Sequence, residues 1–210
     1  MSMVPSFGEP SLDALSSVAG VTSGIVTQNK DPDGLGRVKL MLPWREQGFE
    51  TDWARVASPM AGAARGTFFL PEVGDEVLVG FDRQDIRFPY VLGALWSRTD
   101  KPPQTNSDGK NDIRVIHTRK GHKLLFDDGD KPRLVIELSD GKSITIDESG
   151  ILIDDKANKV KLDAKGGAVS IEAKQALTLK APKISIQAGM QMEIKGGTML
   201  EASAAMVKIN

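Results

Sequence analysis

Residues 168–189, AVSIEAKQALTLKAPKISIQAG, decide the fold. Three triplets in this stretch, Val169-Ser170-Ile171, Leu177-Thr178-Leu179 and Ile184-Ser185-Ile186, each set two apolar residues around a polar one. In a strand the outer two point to one face and the middle one to the other. Strands this short gain little singly, so their use has to come from repetition.

The pattern continues in both directions. Apolar pairs occur at Ile144 and Ile146, Ile151 and Ile153, Val160 and Leu162, Val169 and Ile171, Leu177 and Leu179, Ile184 and Ile186, Met192 and Ile194, and Val207 and Ile209. The second members follow one another at steps of 7, 9, 9, 8, 7 and 8 residues, then 15, which counts as two steps with one degraded strand near Met199. The enclosed residues Thr145, Lys161, Ser170, Thr178, Ser185, Glu193 and Lys208 are polar, with Leu152 the exception. A single-chain right-handed β-helix takes about 20 or more residues per coil and a left-handed one takes six, so a period near eight fits neither. Three chains wound together, each eight-residue unit forming one side of a triangular prism, would bury every pair and satisfy the backbone with neighbouring chains. Residues 144–210 are therefore expected to form an intertwined trimeric β-helix, with these sixteen apolar residues as its core.

Upstream, residues 21–98 alternate as short strands: GIVTQN, RVKLML, WARVASP, GTFFLP, DEVLVGFD and PYVLGALW, with KDPDGLG and RQDIRFP as turns. Five or six strands without a convincing helix predict a small closed barrel of the oligonucleotide/oligosaccharide-binding (OB) type rather than an open sheet. Trp44, Trp53, Phe68, Phe69, Phe81 and Trp96 are spread one or two per strand. They are expected in the barrel core, not on a platform that stacks nucleic-acid bases. A short helix is expected in the N-terminal extension 1–20, capped by Ser11 and stopped by Gly20. A polar linker covers 99–112, and a β-rich neck with turns at Gly121, Gly129 and Gly141 covers 113–143. The fold class is thus all-β.

With 27 basic and 28 acidic residues the net charge is −1, and no global basic field argues for nucleic acid. The absence of cysteine removes disulfides, thiolate metal sites and a cysteine nucleophile. The two histidines, His117 and His122, fall on opposite faces of a continuous strand unless Gly121 turns the chain, and the Asp127-Asp128-Gly129-Asp130 cluster reads as a solvated turn. No catalytic, metal or cofactor site is expected, and the N-terminus is no signal peptide.

Several motifs resemble a known family. DGLGRVKLMLPW, WARVASPMAG, GTFFLPEVGDEVLVGFDRQD and PYVLGALW, followed by Gly121 to Asp128, are similar in kind and order to the spike proteins of contractile tails: phage baseplate gpV-type proteins and the VgrG proteins of type VI secretion. The resemblance implies a homotrimeric, non-enzymatic central spike that punctures a target envelope and contacts its membrane transiently. It implies a separate hub protein at the OB end and a PAAR-type tip protein on Val207, Lys208, Ile209 and Asn210. It places the chain in a virion tail baseplate or equivalent injection particle, assembled in the bacterial cytoplasm. The short linker and the early start of the barrel suggest a short form without lysozyme or fused hub domain. The alternative is a trimeric β-helical fibre or adhesin outside any contractile machine.

Overall fold

The computed structural model describes residues 18, 20–46 and 48–208. The expected N-terminal helix falls on residues outside that set. The chain divides into two compact units, Met1–Ser107 and Asp108–Asn210.

The first unit contains β1 (Val21–Gln28), β2 (Lys39–Met41), β3 (Arg55–Val56), the small hairpin β4 (Ala61–Gly62) and β5 (Arg65–Gly66), β6 (Glu76–Phe81) and β7 (Pro89–Ala94). A 3-10 turn at Asp82–Gln84 joins the last two. The five-stranded sheet runs β2-β1-β6-β7-β3, antiparallel except for the parallel pair β3 and β7. Val38 and Ala54 then exchange hydrogen bonds of 3.0 and 2.7 Å, which joins the two ends of the order and closes the cylinder. This is the expected OB barrel. Register shifts at Val26/Gln28 in β1 and Leu78/Val79 in β6 give the local bending that closure needs.

Alternation carries the barrel core: Val26, Val38, Leu40, Ala54, Val77, Val79 and Val91 are buried against one another. The expectation for the aromatic residues needs correction. Phe68, Phe69, Trp96 and Trp44 are exposed (77, 69, 71 and 48%), and only Trp53 and Phe81 are partly covered. The cause is size: a five-stranded barrel is filled by valine, leucine and alanine, which leaves the large rings on the connecting segments.

The Gly36-Arg37-Val38 motif has a structural role. Arg37 donates from Nε and Nη2 to Asp31 at 2.8 and 2.7 Å, and the same carboxylate accepts the backbone N–H groups of Asp33 and Leu35. Arg37 foremost, with these N–H donors, holds the Asp31 carboxyl well below the usual carboxylate range, so the KDPDGLG turn is clamped at neutral pH.

The second unit is a seven-stranded antiparallel meander: β8 (Ile113–His117), β9 (Lys123–Asp127), β10 (Arg133–Glu137), β11 (Ser143–Asp147), β12 (Gly150–Asp154), β13 (Lys159–Asp163) and β14 (Ala168–Glu172). Each strand pairs with its neighbours in sequence. The sheet runs on through 143/144, and Ile144 to Ile171 lie on strands that pair with their sequence neighbours in the same chain.

The turns explain why. Asp127, Asp140, Asp147, Asp154, Asp155 and Asp163 each accept a backbone N–H two residues on, from Gly129, Lys142, Ser149, Lys156, Ala157 and Lys165. Such aspartate turns reverse the chain within a few residues. No aspartate follows Asp163. The connectors AKQA, KAPK and QAGMQ carry no comparable turn chemistry, and among the described residues no strand is formed beyond Glu172.

Candidate functional site

The register of the meander sorts its side chains into two faces. On one face the cross-strand rows are Ile116, Leu124, Ile136, Ile144, Ile153, Val160, Ile171, and Arg114, Phe126, Leu134, Ile146, Ile151, Leu162, Val169. Thirteen of these fourteen positions are apolar. Arg114 occupies the edge strand and turns its guanidinium away to Asp128, at 2.8 Å.

The other face is a ladder of ion pairs, Lys123 with Glu137 at 2.9 Å, Arg133 with Asp127 at 3.2 Å, Lys161 with Asp163 at 3.3 Å and Lys159 with Asp154 at 3.5 Å. Beneath them runs the row Val115, Leu125, Val135, Thr145, Leu152, Lys161 and Ser170. Leu152, the exception in the sequence pattern, thus continues a short sheltered apolar line. The charged face is finished as a water-facing surface.

The apolar face is not. Ile144, the most covered of its exposed members, is 38% exposed, and Ile171 and Val169 reach 53 and 69%. A contiguous sheet face of aliphatic side chains is a patch that stable monomers rarely leave open. An antiparallel sheet with one solvated face is polar on that face, and here the polar face is the opposite one.

Eight of the sixteen residues assigned to the core from sequence, Ile144, Ile146, Ile151, Ile153, Val160, Leu162, Val169 and Ile171, share this face. Ile116, Leu124, Phe126, Leu134 and Ile136 join them, although the octad pattern missed them. The other eight of the sixteen lie further on. Leu177, Leu179, Ile184, Ile186, Met192, Ile194 and Val207 are all exposed and outside any strand. Of the four expected tip contacts, Val207 and Lys208 are exposed, while Ile209 and Asn210 lie outside the described residues, as does any placement for Ile209 in the core.

The two histidines fall on either side of the β8–β9 turn, His117 at the end of β8 opposite Lys123 and His122 just before β9. Gly121 turns the chain with φ +89°, and His122 Nδ1 accepts the Ser139 N–H at 3.1 Å. Among the described residues no group of three or more His, Asp or Glu side chains is placed to hold a metal ion.

Comparison with known proteins matches both units. The model of the type VI secretion system/phage-baseplate injector OB domain covers residues 22–96, and that of the phage baseplate V C-terminal trimerisation domain covers residues 114–190, together well over half of the chain. The chain is 39% identical over 82 residues to the type VI secretion system spike protein VgrG2a of Pseudomonas aeruginosa, covering 37% of this chain and 10% of that protein. It is 32% identical over 142 residues to VgrG4b of the same organism, covering 58% and 18%. With VgrG3 of Vibrio cholerae it shares 32% identity over 104 residues, covering 46% and 10%. The chain thus spans between a tenth and a fifth of the length of these curated relatives.

Proposed function

Because the chain belongs to the baseplate V and VgrG family of injection-machine spike proteins, we propose that it is the central spike itself, a structural homotrimer that links a baseplate hub to a tip and punctures an envelope when the sheath contracts. The observation that carries this is the uncovered apolar face of β8–β14 within the segment matching the trimerisation domain. Three copies of that sheet, apolar faces inward, form a closed triangular prism in which each chain supplies one wall. The ion-pair ladder then faces water on all three sides.

Among the described residues beyond Glu172 no segment pairs as a strand within its own chain. There the three chains interleave, each apolar pair from Leu177 and Leu179 onward filling one side of a layer, as the period near eight requires. The wall then passes into a shaft.

A hub protein binds at the barrel, where Phe68, Phe69 and Trp96 offer large apolar groups for cover. A PAAR-type tip protein sits on the shaft end at Val207, Lys208, Ile209 and Asn210. The role is mechanical rather than catalytic, in a phage tail baseplate or a type VI apparatus.

Native mass across a dilution series tests the assembly. A trimer that persists at low micromolar concentration supports it, and a monomer throughout refutes it. Capture of a hub or PAAR-type protein expressed from a neighbouring gene separates a spike from a free-standing trimeric fibre.

A further inference from the structure

A cleft of about 310 Å³ opens on the barrel between β3, the start of β7 and the loop leading into β7. Trp53, Phe88 and Tyr90 form its aromatic part, and Arg37, Arg55 and Arg87 its cationic part. Each guanidinium lies against one ring: Arg37 is 5.9 Å from the centre of Trp53, Arg55 5.9 Å from that of Tyr90 and Arg87 5.7 Å from that of Phe88. The three charges are not equally committed. Arg37 pairs with Asp31 and Asp33, and Arg87 with Asp85. Arg55 is exposed and meets no carboxylate among the described residues, although Asp52 also lines the cleft.

One open cation beside three rings fits a ligand that brings a single carboxylate flanked by apolar side chains. A polyanion such as nucleic acid is a poor match, since Asp31, Asp33 and Asp85 already neutralise the other two arginines. The chain itself holds a segment of the fitting chemistry. Residues 1–17, MSMVPSFGEPSLDALSS, carry Glu9 and Asp13 among Phe7, Leu12 and Leu15, and no lysine or arginine.

The attachment point of this segment is close to the cleft. Val18 donates its N–H to the Gln84 carbonyl at 2.8 Å, and Gln84 belongs to the loop whose far limb, Arg87 and Phe88, walls the cleft. Gln84 and Arg87 are at most about 11 Å of extended chain apart, whereas Asp13 can reach about 17 Å from Val18 and Glu9 about 30 Å. Tethering gives the segment an effective concentration on the order of millimolar, an advantage no separate acidic peptide has. The loop is also held in a costly shape. Arg83 and Gln84 are consecutive non-glycine residues at positive φ, 49° and 67°, a state that persists where surrounding contacts enforce it. We propose that residues 1–17 act as an acidic arm that seats in the cleft of their own barrel, with one carboxylate on Arg55 and apolar side chains against Trp53 and Phe88.

The full-length chain has no cysteine of its own, so a single label can be placed on the arm. Ala14→Cys is labelled with bimane, a fluorophore quenched on contact with tryptophan. The seated arm is expected to be quenched, in a way that Trp53→Phe removes and that Trp44→Phe and Trp96→Phe leave unchanged. Arg55→Glu should lower the ratio of seated to free arm at least about tenfold, the worth of one hydrogen bond to a charged group. Since Arg55 is exposed, the barrel of that variant should melt as the parent does. Glu9→Lys with Asp13→Lys should also release the arm, and combining both with Arg55→Glu should restore the quenching.

An unquenched parent overturns the proposal, as does quenching that survives Arg55→Glu or that the charge exchange fails to restore. Co-assembly of labelled Trp53→Phe chains with unlabelled parent chains tests whose cleft is filled. Quenching in that mixture places the arm on a neighbouring copy and overturns the seat within one chain, whereas its absence supports it.

Discussion

Ile144→Asp against Thr145→Asp tests the face assignment with two adjacent residues of β11. Ile144 lies between Ile136 and Ile153 on the apolar face, and Thr145 lies between Val135 and Leu152 on the charged one. Aspartate is a poor strand former at either site, so the propensity cost of up to about 1 kcal/mol cancels in the comparison. Ile144 is still 38% exposed in the single chain, and closing the prism covers that remainder. Losing it forfeits roughly 0.5–1 kcal/mol per chain, from the 1.5–3 kcal/mol worth of a fully buried aliphatic side chain. Enclosing an unpaired carboxylate costs about 3 kcal/mol or more. Three chains place three such groups at one level, for roughly 10 kcal/mol against assembly, or about seven decades in the association constant. Native mass spectrometry over a dilution series should find Ile144→Asp monomeric where the parent is trimeric, with far-ultraviolet dichroism still reporting the barrel. Thr145→Asp should trimerise within about threefold of the parent, since its face stays outside the prism and Lys123 and Arg133 line the same shallow groove as Thr145. Equal dissociation by both variants, or by neither, refutes the two-faced wall.

Three further outcomes follow from the same structure. Gly150 has φ +135°, and a Cβ there would fall on the Leu162 carbonyl, so Gly150→Ala should cost about 3 kcal/mol or more in a thermal melt, whereas Gly167→Ala, at φ +62° with open space around it, should cost only about 1–2 kcal/mol. Asp140, Asp147, Asp154, Asp155 and Asp163 are held below the ordinary carboxylate value chiefly by hydrogen bonds from Lys142, Ser149, Lys156, Asn158 and Gly166 respectively. Their contribution is complete above the unfolded pKa near 4 and is lost as pH falls through the lower folded values, so the melting temperature of the second unit should be flat from about pH 7 to 5 and decline below about pH 4; a decline already between 7 and 5 would exclude the aspartate turns as its cause. Thr51 is buried and bonds both the Leu40 N–H (3.1 Å) and the Asp52 carbonyl (2.8 Å), so Thr51→Val should destabilise the barrel by about 1–3 kcal/mol in denaturant unfolding, with the trimer unaffected.

The strands of both units were legible because alternation is a local signal. Val77, Val79 and Val91 could be read as inward-facing from their neighbours alone. The rings of Phe68 and Trp96 could not, since their exposure depends on how much volume a five-stranded barrel encloses. In the second unit the pairing of Ile144 with Ile146, and of each later pair through Ile171, was visible as period two, and the structure places all eight on one face. The partner strand was not visible in that pattern, because apolar spacing carries no sign for chain direction. The signal that does carry it is the aspartate at each turn from Asp127 to Asp163 and its disappearance afterwards. Ile116, Leu124, Phe126, Leu134 and Ile136 escaped notice because β8 to β11 begin ten residues apart, outside a repeat near eight.

The end of the aspartate turns at Asp163 also orders events in time. Every hairpin from β8 to β14 closes a loop of two to five residues, the kind of contact a chain finds within about 1–10 µs on its own. Among the described residues beyond Glu172 none has such a local partner, and in the proposed trimer they wait for other chains. Once three prefolded walls dock, their trailing segments are tethered side by side at an effective concentration on the order of millimolar, and pairing proceeds outward from the docked end. Nucleation therefore resides in the meander and propagation in the shaft. A substitution at Leu177 or Ile184 should lengthen the last kinetic phase of assembly, while one at Ile144 should suppress the first encounter.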